Sequence, residues 1–177
     1  MRRLEDVYQF GYRWRIAGPI DVVYDYVSDA RTFLDWFPVF KEVHADEPVG
    51  PLHVGSHCVA RVKALLPYVL DWDITVSRHE PPNLIETSVR LSLNGRFGMH
   101  GFVRYRFEPR PGNIVLVTNE QEIAADMPLP RLVHALAQFA FGVNHDWAMR
   151  QAQPSLQAVV RTTQSLRPAQ GRTNAVL

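Results

Sequence analysis

Ala17-Gly18-Pro19-Ile20-Asp21-Val22-Val23-Tyr24-Asp25-Tyr26-Val27 is the stretch that decides the fold, because the spacing of apolar residues changes across it. Before it, Tyr8, Phe10, Tyr12, Trp14 and Ile16 alternate with Gln9, Gly11, Arg13 and Arg15, the two-residue period of a half-buried strand. After it, Ile20, Val23, Tyr24 and Val27 recur at three and four, the stripe of an amphipathic helix. Pro19 presets the backbone for a first helical position, and Asp21 places negative charge in the first turn. Ser28-Asp29 follows, and Phe33-Leu34-Asp35-Trp36-Phe37-Pro38-Val39-Phe40 reads as a second brief helix with a dense aromatic cluster.

Downstream the period returns to two. Pro48, Gly50, Pro51 and Gly55 mark a loop between strands. Cys58, Ala60, Val62 and Ala64 form one inward set; Leu70, Trp72, Ile74 and Val76 form the next; Ile85, Thr87, Val89, Leu91 and Leu93 form a third. Asn94-Gly95 between two alternating runs predicts a type I′ hairpin, since both central residues of that turn need positive φ. The return strand presents Phe97, Met99, Gly101, Val103, Tyr105 and Phe107 on one face, with His100, Phe102, Arg104 and Arg106 on the other. Arg110-Pro111-Gly112-Asn113 turns the chain into a last strand over Ile114–Ile123. Strands joined by short turns imply an antiparallel, curved sheet.

Pro128 and Pro130 precede a long helix from about Leu129 to Ser165. Leu132, Leu136, Phe139 and Val143 form one stripe; Met149, Ala152, Leu156 and Val159 form another, displaced around the axis. Pro154 is expected to kink this helix, as it lacks an N–H and crowds the preceding turn. The composition is that of one globular domain over residues 1–166, with a polar tail at 167–177 expected to be disordered.

Nineteen basic and eighteen acidic residues give a net charge of +1, which argues against nucleic acid as a partner. Cys58 is the single cysteine, so no intrachain disulfide forms, and a reducing, cytoplasmic setting is expected. The first residues lack the apolar core of a secretory signal, and no run reaches the roughly 20 apolar residues needed to span a bilayer.

With these elements in order, the chain resembles the START-like (SRPBCC) superfamily, in its polyketide cyclase/dehydrase and lipid-transport branch. The carrying residues are Gly18-Pro19-Ile20-Asp21-Val22-Val23-Tyr24-Asp25 with Ser28-Asp29, then Trp36-Phe37-Pro38, His79-Glu80-Pro81-Pro82-Asn83-Leu84-Ile85 and Tyr105-Arg106-Phe107-Glu108-Pro109. The likeness covers roughly residues 8–165. It implies an α+β helix-grip fold: a seven-stranded curved antiparallel sheet wrapped around a long C-terminal helix, two short helices after strand 1, and a ligand cavity between sheet and helix. In that cavity Trp14, Trp72, Thr87, Met99 and Tyr105 from the sheet, with Leu136, Phe139 and Val143 from the helix, are the candidate ligand contacts. Trp36 and Phe40 belong to the aromatic cluster near its mouth, either as a cap on the core or as a gate.

Candidate chemistry is sparse. His134 and His145 lie about 16 Å apart along one helix and cannot share an ion, and His53 and His57 lack further ligands at zinc-like spacing, so no metal is expected. Cys58 alternates with Ala60 and Val62 and reads as a buried apolar residue. Nucleophile-elbow, P-loop and dinucleotide patterns are missing, and no cofactor is expected. Asp71 and Asp73 flank Trp72 and point outward unless a bulge near Pro67 reverses the strand. In the last strand one phase puts Asn119 and Gln121 inside; the other brings in Glu120 and Glu122, where a desolvated Glu would suit acid–base work. A bulge at Gly98 or Gly101 would similarly turn His100 and Arg104 inward.

The resulting expectation is a cofactor-independent cyclase, aromatase or dehydratase acting on a polyketide or polycyclic metabolite. Tyr12, Asn119, Glu120 and Gln121 are its candidate catalytic groups. The alternatives are a carrier or sensor of a lipid, sterol or quinone, and a protein-docking module with an exposed Trp36. A monomer or homodimer is expected. Two or more convergent polar groups on the inner wall would favour catalysis over transport.

Overall fold

The computed structural model describes residues 7–93, 97–125 and 131–166, with side chains placed for all of these except 97 and 131–137. The Asn94-Gly95 turn, Pro128 and Pro130, the side chains of Leu132, His134 and Leu136, and the tail from 167 onward lie outside the described residues. Chain order is β1 (Val7–Ala17), α1 (Ile20–Ser28), a 3-10 turn (Ala30–Thr32), α2 (Phe33–Trp36), β2 (Phe40–Ala45), β3 (His57–Val62), β4 (Leu70–Glu80), β5 (Leu84–Leu93), β6 (Phe97–Arg110), β7 (Ile114–Ala125) and α3 (Arg131–Leu166). This is the α+β helix-grip architecture.

All seven strands form one antiparallel sheet in the order β1-β7-β6-β5-β4-β3-β2. First and last strands pair along their length, from Val7 opposite Ala124 to Ala17 opposite Ile114. The other edge belongs to β2, so α1, the 3-10 turn and α2 carry the chain from one edge to the opposite one. That crossing is the structural meaning of the change of period at Gly18-Pro19.

Each strand holds the phase read from its alternation. In β1, Tyr8, Trp14 and Ile16 are buried on the inner face, with Phe10 and Tyr12 half-buried beside them. In β7 the inner residues are Val115, Val117, Asn119, Gln121 and Ile123, so the amide phase holds and the glutamates face outward. Asp71 and Asp73 also lie on the outer side, against Arg61 at 3.0 Å and His57 at 3.2 Å. The irregularity in β4 falls between Val76 and Arg78, not near Pro67, and leaves that phase intact. Pairing of β5 with β6 runs unbroken from Leu84–Arg106 to Leu93–Phe97, so His100 and Arg104 stay outside.

The face that α3 buries differs in part from expectation. Phe139 is 71% exposed and Val143 is 40% exposed, whereas Phe141, Asn144, His145 and Ala148 turn inward. Two residues on a helix are separated by about 200°, so Phe139 and Phe141 occupy opposite sides. Further along, Ala152, Leu156 and Val160 are fully buried, and Val159 is only half-buried. The helix runs through Pro154 without ending there, with the proline ring exposed. Gln157 fastens α3 to the sheet edge: its Oε1 accepts from the Ala17 N–H at 2.8 Å and its Nε2 donates to the Ala17 carbonyl at 2.9 Å. A side-chain amide thereby replaces the missing neighbour strand at that residue.

Gly101 of β6 lies against the backbone of β7, and a Cβ there would lie 1.8 Å from the Glu122 carbonyl oxygen. Such an overlap with backbone cannot be relieved by a rotamer change, so this position needs glycine for the bend of the sheet. Gly101→Ala is expected to destabilise the fold by about 1–3 kcal/mol or more. Gly142→Ala, in α3 with open space around the new methyl, is expected to stabilise it by about 0.5–1 kcal/mol. Denaturant midpoints at constant m-value check both.

Candidate functional site

The bent sheet and α3 enclose a cavity of about 160 Å3. A single water needs roughly 10–15 Å3 measured the same way, so the space suits an organic guest. Its floor is the inner face of β4 to β7: Ile74, Val76, Ile85, Thr87, Val89, Leu91, Met99, Val103 and Tyr105, with Gln121 and Ile123. Phe141, Asn144, His145, Ala148 and Met149 of α3 form the roof. Phe33, Phe37 and Phe40 close the side toward β2.

Of the lining residues, Glu47 and Pro51 are exposed, which places the mouth at the loop between β2 and β3. Arg31 holds this loop. Its guanidinium pairs with Asp29 at 2.6 Å and donates to the Glu47 carbonyl at 3.1 Å and the Gly50 carbonyl at 2.9 Å. The charge pair anchors Arg31, and its remaining N–H groups tie the loop to the turn after α1. At the loop's far end His57 lies between Asp46 at 2.8 Å and Asp73 at 3.2 Å. The hydrogen bond to Asp46 is the main cause that raises the His57 pKa above its ordinary value, against a smaller desolvation effect.

Polar atoms inside the wall are few and poorly satisfied. Gln121 Nε2 donates to Asn119 Oδ1 at 3.0 Å, leaving Asn119 Nδ2 without a partner. Tyr68 Oη, Trp72 Nε1 and His145 Nε2 are buried without partners as well. The Tyr68 hydroxyl lies beside the Asn144 amide outside hydrogen-bond geometry, and Asn144 Oδ1 accepts from the Leu66 N–H at 3.1 Å. Desolvation pushes the His145 imidazole down to about 4 and the Tyr68 phenol up to about 12. Tyr105 is raised further by the same cause, and burial lifts the Cys58 thiol to about 12, far from a nucleophilic thiolate.

The candidate residues therefore divide. Phe40, Trp72, Thr87, Met99, Tyr105 and Gln121 line the cavity. Trp14 is 1% exposed and packs instead against Trp36 and Tyr105, with ring centroids at 6.0 and 6.2 Å. Trp36 is buried, donates from Nε1 to the Tyr26 carbonyl at 3.0 Å and stacks on Phe37, so it is a core residue and no docking surface. Tyr12 is half-buried beside Trp14, and Asn119 lies behind Gln121; neither borders the cavity. Glu120 is on the outer face, accepting from Arg104 at 3.3 Å, because Val115 and Val117 fix the opposite phase inside. Phe139 and Val143 face away from the cavity, and the Leu136 side chain is outside the described residues. The reading from sequence missed Tyr68, Asn144 and His145. Extending the Met149–Ala152–Leu156 stripe backward by fours reaches Ala148, His145 and Phe141, which was the available signal.

A sheet clasping one long helix over an apolar cavity defines a helix-grip protein that binds hydrophobic small molecules. The family described as polyketide cyclase/dehydrase and lipid transport matches residues 10–161. The chain belongs to this family, within the START-like superfamily. No curated protein matches it. Its fold is similar to the Zhui aromatase/cyclase from Streptomyces sp. R1128, at 12% identity, TM-score 0.71, and coverage of 93% of this chain and 99% of that one. A START superfamily protein from Mycobacterium smegmatis shares 14% identity at TM-score 0.60, over 88% of this chain and 99% of the other. A protein of unknown function from Staphylococcus aureus shares 9% identity at TM-score 0.68, over 92% and 98%. No helix among the described residues is long and apolar enough to cross a membrane.

Two outcomes follow from the mouth. Arg31→Ala should raise amide exchange in residues 46–56 by about tenfold while barely moving the melting midpoint, since partly exposed ion pairs contribute little to global stability. His57 should titrate above the ordinary imidazole value of about 6.5, and Asp46→Asn should return most of that shift. A raised folded-state pKa means that the His57 contribution is complete below about pH 6.5 and is lost as pH rises through the higher folded value. An NMR titration of the imidazole reads the shift.

Proposed function

We propose that this chain takes a hydrophobic metabolite into the cavity and promotes its cyclisation or dehydration without a cofactor, as a polyketide cyclase or aromatase does. The observation that carries this reading is the wall itself: an enclosed apolar space into which a few polar tips, among them Gln121, Tyr68 and His145, project. Holding a flexible chain in a reactive fold contributes up to about 7–11 kcal/mol, more than any single proton-handling group in this wall. Gln121, oriented by Asn119, is placed to hydrogen-bond a ligand oxygen. Neutral His145 and Tyr68 are weak acid–base groups at pH 7, and their part in catalysis is polarisation and orientation.

The same pKa directions favour a second reading, a carrier or sensor of a lipid, sterol or quinone. Among the described residues, His145, Tyr68 and Tyr105 in the cavity are all shifted away from pH 7, and the mouth is held by a releasable tether at Arg31. In either case the protein works as a monomer or homodimer in the cytoplasm and needs no nucleic-acid partner.

Native mass spectrometry of protein purified from its own host identifies the bound molecule. Recovery of a ring-closed or dehydrated product after incubation supports the cyclase; recovery of unchanged ligand supports the carrier. Thr87→Trp, which fills the cavity floor, should cut uptake of the neutral probe N-phenyl-1-naphthylamine by more than about tenfold while the melting midpoint stays within a few degrees. Full uptake by that variant would show that hydrophobic molecules bind elsewhere.

A further inference from the structure

Of the unpartnered polar atoms in the cavity wall, Trp72 Nε1 and Tyr68 Oη lie toward one end of it, and His145 Nε2 lies nearer the middle of the sheet. Trp72 lies in the row of paired residues Ala60–Trp72–Leu91–Met99–Ala125 that crosses this end of the sheet. Tyr68 lies just before β4 starts, on the same side, and its ring meets Phe141 of α3 at 5.9 Å. His145, one helical turn beyond Phe141, stacks on Phe10 at 4.6 Å, over the row Phe10–Gln121–Val103–Thr87 and so away from that end. The bond from the Leu66 N–H to Asn144 ties this end of α3 to the segment carrying Tyr68. The mouth is elsewhere: its loop meets β4 near Val76, through the Gly55 N–H, about 20 Å along the strand from Leu70.

A buried donor without an acceptor is costly, and the cost vanishes when a guest supplies the acceptor. Trp72 Nε1 can only donate, so its partner must carry a lone pair. The Tyr68 hydroxyl can donate or accept, as can His145 Nε2 according to tautomer. The charged lining residues Asp29, Arg31, Glu47 and His57 are all at the mouth, and among the described residues no Lys, Arg, Asp or Glu lines the end that holds Trp72 and Tyr68.

Resting on the reading of the cavity as a site for hydrophobic molecules, we propose that this end is a subsite for an uncharged oxygen-bearing head, a carbonyl or hydroxyl group. Trp72 Nε1 donates to that oxygen, and Tyr68 Oη completes its hydrogen bonds. The ligand thus enters head first, with its apolar body against Ile74, Val89 and Met99. A carboxylate is rejected, since it would be desolvated with no cation among the described residues lining that end to meet it. The depressed basicity of His145 agrees, because the imidazole stays neutral at physiological pH and offers no counter-charge.

Three probes of one skeleton test this: naphthalene, 2-acetylnaphthalene and 2-naphthoate, measured by calorimetry or equilibrium dialysis at pH 7. The ketone is expected to bind about tenfold more tightly than the hydrocarbon, and the carboxylate more weakly than both. Trp72→Phe should bring the ketone to within about threefold of naphthalene, with the ketone losing more affinity than naphthalene does, and Tyr68→Phe should act in the same direction. The Tyr68 variant and the melting midpoint of each guard against misfolding as the cause. Equal affinity for ketone and hydrocarbon, or a carboxylate that binds tightest, overturns the subsite while leaving the hydrophobic cavity in place. Failure of all three probes to bind overturns the cavity reading and the subsite with it.

Discussion

The concave face of the sheet is broader than one helix can cover, and the remaining features follow from where α3 seals it. Ala152, Leu156 and Val160 are fully buried where α3 packs on β1, with Gln157 clamped to the end of that strand. This half is a close-packed core, where each large apolar side chain contributes about 1.5–3 kcal/mol by burial. Toward Asn144 and His145 the helix stands off, and the sheet beneath it carries Thr87, Val89, Val103 and Gln121. Medium-sized side chains on a strongly bent sheet cannot bridge that gap. One half of the same interface gives stability and the other gives room.

This division explains why the aromatic residues have two fates. Trp14 and Trp36 meet edge to face at 6.0 Å in the sealed half, with Trp36 secured by the Tyr26 carbonyl. Phe33, Phe37 and Phe40 continue the cluster but turn toward the opening. The helical crossing from β1 to β2 therefore serves both as a plug for the core and as one jamb of the mouth. The tether from Arg31 to the β2–β3 loop completes the other side.

The outer face obeys different physics. Glu86, Arg104 and Glu120 form a charged row with Phe102 under the Arg104 guanidinium, and Arg61 bridges Glu42 and Asp71. Cross-strand pairs of this type support the register of a half-exposed antiparallel sheet. They also account for Glu120: a carboxylate paired with Arg104 on the outer face is a surface partner, turned away from the cavity.

What the residues alone determined is the fold and the inner face of each strand. Alternation is a local property with a period of two, and a one-residue error would have exposed an entire apolar set at Trp14, Ile74 or Val103, so the phase was legible wherever large side chains marked it. In β7 the residues from Asn119 to Glu122 are all polar and their own phase is ambiguous; only pairing with β1 and β6 carried the Val115–Val117 phase through to Gln121. On α3 the stripe of Phe139 and Val143 looked as apolar as that of Phe141, Ala148 and Ala152. Helical position is set by the partner surface, and that surface, drawn from strands far apart in the chain, chose the second. The placement of Tyr68, Trp72 and His145 in one cavity wall was likewise decided by tertiary structure, since nothing local links a pre-strand loop, a strand and a helix seventy residues later until the sheet bends around α3.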